Sequence, residues 1–363
     1  MNSTILFKNM STPKKELNSF NVIDFLSDSS YKSENLDQEC VLLYKYRSNK
    51  IKLNKKIELT NDLAWLFGFY LAEGTKSPNT LALANNELFL IEKSLSIFEA
   101  EFGILLNSWK IVITTSANVS RRRDYWKSIF PSNVLYLYEK AMANKDVLDV
   151  RINNRILAEI FRKLFDVCMP LIYENRELSV EFLKGYFVGD GTINVREGCL
   201  HCIGATVSKE NSSFLEKAFV PFLGLKPNKR KMKKGYELYY SHVESMTFFI
   251  IERFFQDLDR QWYKLLSSYL NKQYVGSHLK YWKAIEKKRL SAVQIAKITG
   301  NSYESVLDAM KRDVRVGLIF FSKFKNSKAM GPSKKYFYLT ESGKRLLKVL
   351  NNYIMHRGEN EIS

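Results

Sequence analysis

Apolar residues repeat with helical spacing at several places along the chain, and two of these segments contain few polar residues. Residues 63–74 and 180–191 each predict a helix that runs into an acid followed by glycine and threonine. Both segments also carry small residues four positions apart, which form a flat strip on one helix face. The sequence therefore predicts two similar, mostly buried helices that can approach each other closely.

A strand-like segment followed by an amphipathic helix occurs twice after each of these two helices. Residues 80–104 parallel residues 200–225, and residues 147–165 parallel residues 235–255. In each, alternating apolar positions give way to helical spacing. We therefore predict an α+β protein with two similar halves, each of order αββαββα, packed about a pseudo-twofold axis.

Residues 271–350 have a different pattern. Helices predicted at 291–298 and 303–314 flank a turn at Gly300, and two strands around a basic loop follow. This part of the chain contains eighteen Lys or Arg but only five Asp or Glu. The pattern and the charge together predict a winged helix-turn-helix that contacts DNA.

These patterns divide the chain into five parts. Residues 1–56 are polar and weakly patterned, and the sequence assigns them no role. The predicted parts are an N-terminal extension (1–56), a first half (57–175), a second half (176–270), a winged helix-turn-helix (271–350) and a tail (351–363).

The charge of the whole chain points to a polyanionic partner. The formal net charge is +18 over 363 residues, which favours nucleic acid over a membrane surface. The longest apolar runs, such as residues 63–72, are shorter than a membrane span. We expect a soluble, cytoplasmic protein with no membrane partner.

The small residues predict how the two apolar helices meet. Gly68 and Ala72 on the first helix, and Gly185 and Gly189 on the second, are the predicted helix interface. If these strips pack in parallel, the acids at the two helix ends lie side by side.

Two acids in that position repel each other and the negative ends of both helices. A hard divalent cation suits an all-oxygen site, and Mg²⁺ commonly combines one or two carboxylates with a substrate phosphate. The pair Glu73 and Asp190 therefore predicts metal-assisted phosphodiester cleavage. Gly74 and Gly191 are predicted to end the helices in the left-handed conformation.

The two motifs also carry a family resemblance. LFGFYLAEG at 66–74 and LKGYFVGDG at 183–191 resemble the paired signature helices of the LAGLIDADG homing endonucleases, in the single-chain form with two motifs. The resemblance covers about residues 57–270. It implies a monomer in which two four-stranded sheets form a saddle on double-stranded DNA, over a long specific site.

The resemblance also implies an activity and a site. By position, Glu73 and Asp190 are the catalytic acids, and Ala72 and Gly189 belong with them to the metal site. Mg²⁺ is the implied cofactor, with Mn²⁺ as a substitute, and the reaction is a double-strand break. Intein-borne relatives carry a lysine at the position of Val167, so Lys163 and Lys264 are candidates for the basic group.

Basic residues near the predicted saddle and in the winged helix are candidates for DNA contact. The former are Arg121, Arg122, Arg123, Lys209, Lys229, Arg230, Lys231, Lys233 and Lys234. The latter are Tyr303, Ser305, Lys311, Arg312, Lys334 and Lys335.

Two alternatives to an endonuclease remain at this stage. One is a non-catalytic DNA-binding regulator with the same core and a helix-turn-helix, which the missing lysine favours. The other is an intron RNA maturase. Neither alternative needs the repulsive acidic pair.

Overall fold

The computed structural model describes residues 19–26, 31–45, 50–116, 119–140, 145–324 and 334–360. Within them the chain is a mixed α+β protein, as the sequence predicts. The described residues form two compact units, which we call the large unit (19–191 and 205–238) and the small unit (192–204 and 239–360). The boundaries predicted from the sequence do not coincide with this division and stay predictions.

Most of the described N-terminal extension is folded. It contains five short strands: β1 (Ser19–Asn21), β2 (Tyr31–Asn35), β3 (Cys40–Lys45), β4 (Ile51–Asn54) and β5 (Lys56–Glu58). Strand β1 pairs with β5, and β2, β3 and β4 form an antiparallel sheet that we call the N-terminal sheet. Val41, Leu43 and Leu53 are fully buried, so alternating apolar residues hold this sheet against the large unit.

The large unit continues with nine elements up to residue 190. In chain order they are α1 (Asn61–Glu73), β6 (Leu81–Asn85), α2 (Leu88–Phe102), β7 (Lys110–Thr115), α3 (Val119–Ile129), β8 (Val134–Glu139), β9 (Val147–Ile152), α4 (Arg155–Glu174) and α5 (Arg176–Asp190).

Strands β6 to β9 form a sheet in the order β6-β9-β7-β8, which we call the first sheet. Strand β8 runs parallel to β7, and helix α3 connects the two, whereas β9 is antiparallel to both β6 and β7. The α3–β8 segment has no place in the predicted αββαββα order. Trp126 anchors it, because its ring is buried and its Nε1 donates to Asp146 at 2.9 Å.

The two faces of the first sheet differ. Side chains alternate along each strand, and one face carries Leu83, Ile111, Ile113 and Val150, which are fully buried. This face packs in the core with the aromatic side chains of α2 and α4, where Phe98 and Phe161 lie 5.5 Å apart between ring centroids. The other face is open.

Sequence-encoded caps set the starts of the two central helices. The Thr60 hydroxyl accepts from the Leu63 amide at the start of α1, and the Asn175 side chain accepts from Glu177 and Leu178 at the start of α5. Asn175 is also the residue that ends α4, so a single residue separates the two helices.

The next segment has the order predicted for the second half. It contains β10 (Gly191–Arg196), β11 (Cys199–Val207), α6 (Ser212–Leu223), β12 (Asn228–Met232), β13 (Gly235–Tyr240) and α7 (Val243–Ile251). The four strands form a sheet in the order β10-β11-β13-β12. The division between the two units falls within β11 and β13.

The rest of the small unit is mainly helical. Its elements are α8 (Asp259–Leu270), α9 (Gln273–Ile285), β14 (Leu290–Ser291), α10 (Ala292–Thr299), α11 (Tyr303–Val316), β15 (Ile319–Phe324), β16 (Lys334–Leu339) and α12 (Glu341–Asn360). Strands β14, β16 and β15 form an antiparallel sheet. Gly300 has a φ of 70° between α10 and α11, where the sequence predicts a turn. Helix α12 extends through most of the predicted tail.

None of the helices in the described part of the chain is both long enough and apolar enough to span a membrane.

Candidate active site

Helices α1 and α5 meet through their backbones. A Cβ atom built on Gly68 would lie 1.8 Å from the Phe182 carbonyl oxygen, and one built on Gly185 would lie 1.9 Å from the Trp65 carbonyl oxygen. Each glycine therefore faces the main chain of the opposite helix, and the contact is reciprocal. No larger residue fits at either position without separating the helices.

The same packing brings the ends of the two helices together. A Cβ atom on Gly189 would lie 2.8 Å from Cβ of Ala72, 2.9 Å from Cγ of Glu73 and 3.0 Å from its Oε1. The Glu73 side chain thus lies against the residue that immediately precedes Asp190. The structure brings together the four predicted interface residues and the two acids.

The electrostatics of the pair are unfavourable in the absence of a cation. Neither helix has a basic residue in its last turn, and no lysine or arginine of the described chain forms an ion pair with either acid. Burial and, to a smaller extent, the charge of Asp190 raise the pKa of Glu73 from 4.5 to about 7, against the opposing effect of a hydrogen bond from Asn85. Burial also raises the pKa of Asp190.

Two polar neighbours orient the acids, and the sequence reasoning did not identify either of them. Nδ2 of Asn85, the last residue of β6, donates to Oε1 of Glu73 at 2.9 Å. The Tyr186 hydroxyl, one helical turn before Asp190, donates to the Thr206 carbonyl at 2.8 Å, and its interaction with the Asp190 carboxylate lowers the pKa of that group. The i, i+4 spacing of Tyr186 and Asp190 is a signal that could have revealed the second contact.

The glycines after the acids are not left-handed. Gly74 has φ −81° and ψ 152°, and Gly191 has φ −72° and ψ 145°, so both are extended. The prediction was wrong because each helix leads directly into strand pairing: Gly74 bridges to Leu83, and Gly191 begins β10. Gly74 is required for space instead, since a Cβ there would lie 2.4 Å from the Tyr70 carbonyl oxygen.

The donor set fits a hard divalent cation. Two partly buried carboxylates with raised pKa values form a site that no described lysine or arginine neutralises, and Mg²⁺ typically uses one or two carboxylates with water and phosphate. Within the described residues there is no cluster of three or more His, Cys, Asp or Glu. Glu73 and Asp190 alone could therefore hold the ion from the side chains of the chain, leaving coordination positions for substrate.

Lys163 and Lys264, the candidate basic groups, both have other partners. Nζ of Lys163 donates to the Phe25 carbonyl and to Glu159, each at 2.9 Å. In the small unit, Nζ of Lys264 donates to the Ile193 carbonyl at 2.6 Å. Val167 is 47% exposed on α4, so no described residue is assigned the role of that lysine, and both candidates stay hypotheses.

The predicted DNA-binding residues of the large unit differ in how free their charges are. Residues 228–234 are all exposed. Lys229 pairs with Glu216 at 2.7 Å, and Arg230 pairs with the buried Glu237. Lys231, Lys233 and Lys234 form no ion pair within the described chain, and Lys209 is exposed. The lysines at 229 and 231 and Arg230 lie on strand β12, not in the turn.

On α3, Arg122 is partly committed and Arg123 is exposed. Nε of Arg122 lies 3.3 Å from Asp146, and its guanidinium lies 5.5 Å from the Tyr125 ring centroid. The side chain of Arg121 lies outside the described residues.

The DNA-binding candidates of the small unit lie on helix α11 and strand β16. Tyr303, Ser305, Lys311 and Arg312 are exposed on it, with Lys311 pairing with Asp308 at 3.0 Å. Lys335 is exposed on β16, and the side chain of Lys334 lies outside the described residues.

Comparisons with known proteins give weak likenesses. No family model matches the sequence, and neither does the sequence of any curated protein. Three solved structures with likeness to this chain are the N-terminal LAGLIDADG domain of DUF199/WhiA, full-length DUF199/WhiA from Thermatoga maritima, and the LAGLIDADG meganuclease I-CpaMI bound to uncleaved DNA.

The first is 12% identical, covers 53% of this chain and 81% of its own, and has a TM-score of 0.34. The second is 11% identical, covers 70% of this chain and 90% of its own, and has a TM-score of 0.35. The third is 11% identical, covers 68% of this chain and 97% of its own, and has a TM-score of 0.27. With scores of this size, the fold and the site stand on the coordinates of this chain alone.

Proposed function

We propose that this protein is a Mg²⁺-dependent endonuclease that makes a site-specific double-strand break in DNA. The observation that carries the proposal is the meeting of Glu73 and Asp190 at the ends of α1 and α5. Their charges repel in a partly buried site, and no lysine or arginine of the described chain forms an ion pair with either of them. A protein that only binds DNA gains nothing from such a pair, whereas phosphodiester hydrolysis requires a cation beside the phosphate.

The two acids and their two polar neighbours each have a part in this chemistry. Glu73 and Asp190 would hold the cation, which when bound polarises the phosphoryl oxygen and stabilises the leaving oxygen. Asn85 occupies Oε1 of Glu73 and so fixes the rotamer of that carboxylate. Tyr186, whose hydroxyl donates to the Thr206 carbonyl, interacts with the Asp190 carboxylate and lowers its pKa, which favours the ionised form that binds a cation. One acid from each motif matches one cut in each DNA strand.

The order of elements supports the proposal of two similar halves. After α5 the chain follows β10, β11, α6, β12, β13 and α7. After α1, residues 74–75 pair with β6, since the Thr75 amide donates to the Ala82 carbonyl at 3.0 Å. The chain then follows α2, β7, β9 and α4, with α3–β8 between the last two strands. In this proposal, α3–β8 is an insertion that widens the sheet of the first half.

The open face of the first sheet supports DNA as the partner. Tyr136 and Tyr138 on β8 are 42% and 55% exposed, and they share this face with Lys110 on β7. We propose that this face and the lysines of 231–234 contact the duplex, and that α10, α11 and the strands β15 and β16 act as a winged helix-turn-helix.

Cleavage of host DNA tests the proposal. Genomic DNA incubated with the protein and Mg²⁺ should show new double-strand ends at one or a few loci when the ends are sequenced. EDTA should abolish the ends, and Mn²⁺ should restore them. Glu73→Gln and Asp190→Asn should each abolish cleavage while DNA binding by gel shift persists.

A non-catalytic DNA-binding regulator is the second candidate. It is favoured by one observation: Lys163 and Lys264 are both hydrogen-bonded to main-chain carbonyls, and Val167 stands where relatives carry a lysine. Sequence-specific binding without any cut under Mg²⁺ or Mn²⁺ would establish this candidate. Specific binding to a folded intron RNA, without binding to duplex DNA, would instead indicate a maturase.

A further inference from the structure

Two cavities of the large unit adjoin each other at Asn153 and Asn154, in the turn between β9 and α4. Their volumes are about 320 Å³ and about 400 Å³. One wall comes from the N-terminal sheet, and the other from the first sheet and the start of α4. We call the pair the basic groove, because six cationic residues line it: Lys45, Lys50, Lys52, Lys110, Arg151 and Arg155.

The charge of the groove is not neutralised by its own walls. No aspartate or glutamate lines either cavity. Carboxylates outside the cavities also contact their lining residues: Asp149 forms an ion pair with Arg151 and accepts from its Nε at 3.1 Å, and Glu159 accepts from the hydroxyl of Tyr31, which lines the groove, at 2.8 Å. Cations brought together by folding repel one another, so an anion that extends along both cavities would stabilise this arrangement.

The groove lies at the end of the first sheet that is remote from the acids. Lys110 and Arg151 pair across β7 and β9 at this end, and Leu81, where β6 begins, pairs with Ile152 there. Asn85, which binds Glu73, is at the other end of β6. Leu81 and Asn85 are four residue steps apart along β6, which corresponds to roughly 14 Å at 3.4 Å per residue.

We propose that the basic groove binds the phosphate backbone of duplex DNA away from the cut, with the N-terminal sheet acting as a clamp. The inference rests on the proposed function and deepens it by adding a second strip of phosphate contacts. Two adjoining cavities with cations along both suit a run of phosphates better than a single small anion. The groove shares Lys110 and Arg151 with the open sheet face, so one duplex could reach both.

Matched double variants of the full-length protein test the clamp. Lys50→Gln/Lys52→Gln removes two exposed charges that line the groove and do not lie on the open sheet face. Lys32→Gln/Lys56→Gln removes two exposed charges that do not line it. Equal thermal midpoints for the two variants would show that neither change disturbs the fold. Affinity for a duplex longer than the footprint is measured against salt concentration.

The groove variant should bind the duplex at least about tenfold more weakly than wild type at 0.1 M salt. Its log–log salt slope should be less steep by up to about 1.8, since each phosphate contact contributes about 0.9. The control variant should match wild type. In a hydroxyl-radical footprint, the groove variant should lose protection at backbone positions away from the cut and keep it at the cut.

Three outcomes would overturn the clamp. If wild type binds and cuts DNA and both variants bind the duplex as tightly as wild type, the groove inference fails while the proposed function stands. If wild type binds no duplex, both fail. If the groove variant loses affinity for structured RNA but none for the duplex, the groove binds another class of partner.

Discussion

Glu73 lies at the end of a buried helix beside a second carboxylate, and its pKa is raised to about 7. Near neutral pH, a large share of molecules therefore carry a proton on this side chain in the absence of a cation. A divalent cation must displace that proton to bind. Metal binding at this pair should consequently release protons and strengthen as the pH rises.

The raised pKa predicts how stability depends on pH in metal-free buffer. Between pH 4.5 and 7 the folded protein binds more protons at Glu73 than the unfolded chain, so the free energy of unfolding falls as the pH rises. Because glutamine carries no ionisable proton, the Glu73→Gln variant should not show this fall in the free energy of unfolding. We expect the variant to be more stable than wild type at pH 8 by on the order of 1–2 kcal/mol, after discounting for partial exposure.

Urea unfolding at a series of pH values measures the effect. The advantage of Glu73→Gln should vanish well below pH 4.5, where the wild-type side chain is protonated in both the folded and the unfolded state. Glu34→Gln, an exposed change on β2, should show no such pH-dependent gain. A Glu73→Gln protein that is no more stable than wild type at pH 8 would contradict the assignment of a repulsive acidic pair.

At the scale of elements, the contact between α1 and α5 depends on the absence of side chains. Gly68 and Gly185 each face a carbonyl of the opposite helix at less than 2 Å from the position that a Cβ atom would take. Because the position of a Cβ atom is fixed by its own backbone and the opposing oxygen belongs to the main chain of the other helix, neither atom can rotate away, and the helices themselves would have to move apart.

Alanine substitution at two helical glycines should therefore have opposite effects. Gly185→Ala should destabilise the protein by about 3 kcal/mol or more, since the methyl group overlaps the Trp65 carbonyl. Gly276→Ala in α9 meets no atom closer than 3.6 Å and should be neutral or stabilising by up to about 1 kcal/mol. Thermal unfolding of both variants makes the comparison. An unchanged midpoint for Gly185→Ala would mean that the helices do not touch there.

Sequence patterns predicted the elements better than their connections. The two acid-terminated helices, the strand–helix pairs that follow them and the turn at Gly300 were readable because periodicity and turn residues are local signals. The α3–β8 segment was not, since parallel pairing of β8 with β7 depends on partners distant in the chain. The folded N-terminal strands were missed because their alternation is short and interrupted by lysines.

The site was predictable in its acids but not in its surroundings. The acids and the small residues have fixed spacing within each helix. The sequence alone therefore places the small residues on one face of the helix and the acid at its C-terminal end. Asn85 contacts Glu73 from another element, and the cations of the basic groove come from five separate segments. Such contacts follow from tertiary packing, which one sequence does not reveal.

On the scale of the whole molecule, the net charge of +18 is spread over several exposed regions. They include residues 229–234, helix α11 and the lysines of the N-terminal strands. A charge distribution of this kind attracts nucleic acid before any specific contact forms. Counterion release from the duplex then makes affinity strongly dependent on salt.

We expect affinity for a duplex of arbitrary sequence to fall by roughly 10³- to 10⁵-fold between 50 and 200 mM salt, as for proteins that make six to ten phosphate contacts. Fluorescence anisotropy across this range measures the slope. Glu73→Gln should leave the slope nearly unchanged, since the cations outside the acidic pair set it. An affinity that is independent of salt would argue against DNA as the partner.

The backbone-to-backbone contact of α1 with α5 has one more consequence. With no side chain between the two helices at Gly68 and Gly185, the separation of the two helix ends is set by main-chain geometry, and Asn85 then orients the Glu73 carboxylate. If the protein is the proposed nuclease, substitutions on the sheet faces should therefore change the DNA sequence that it recognises while the helix ends that carry the acids keep their spacing.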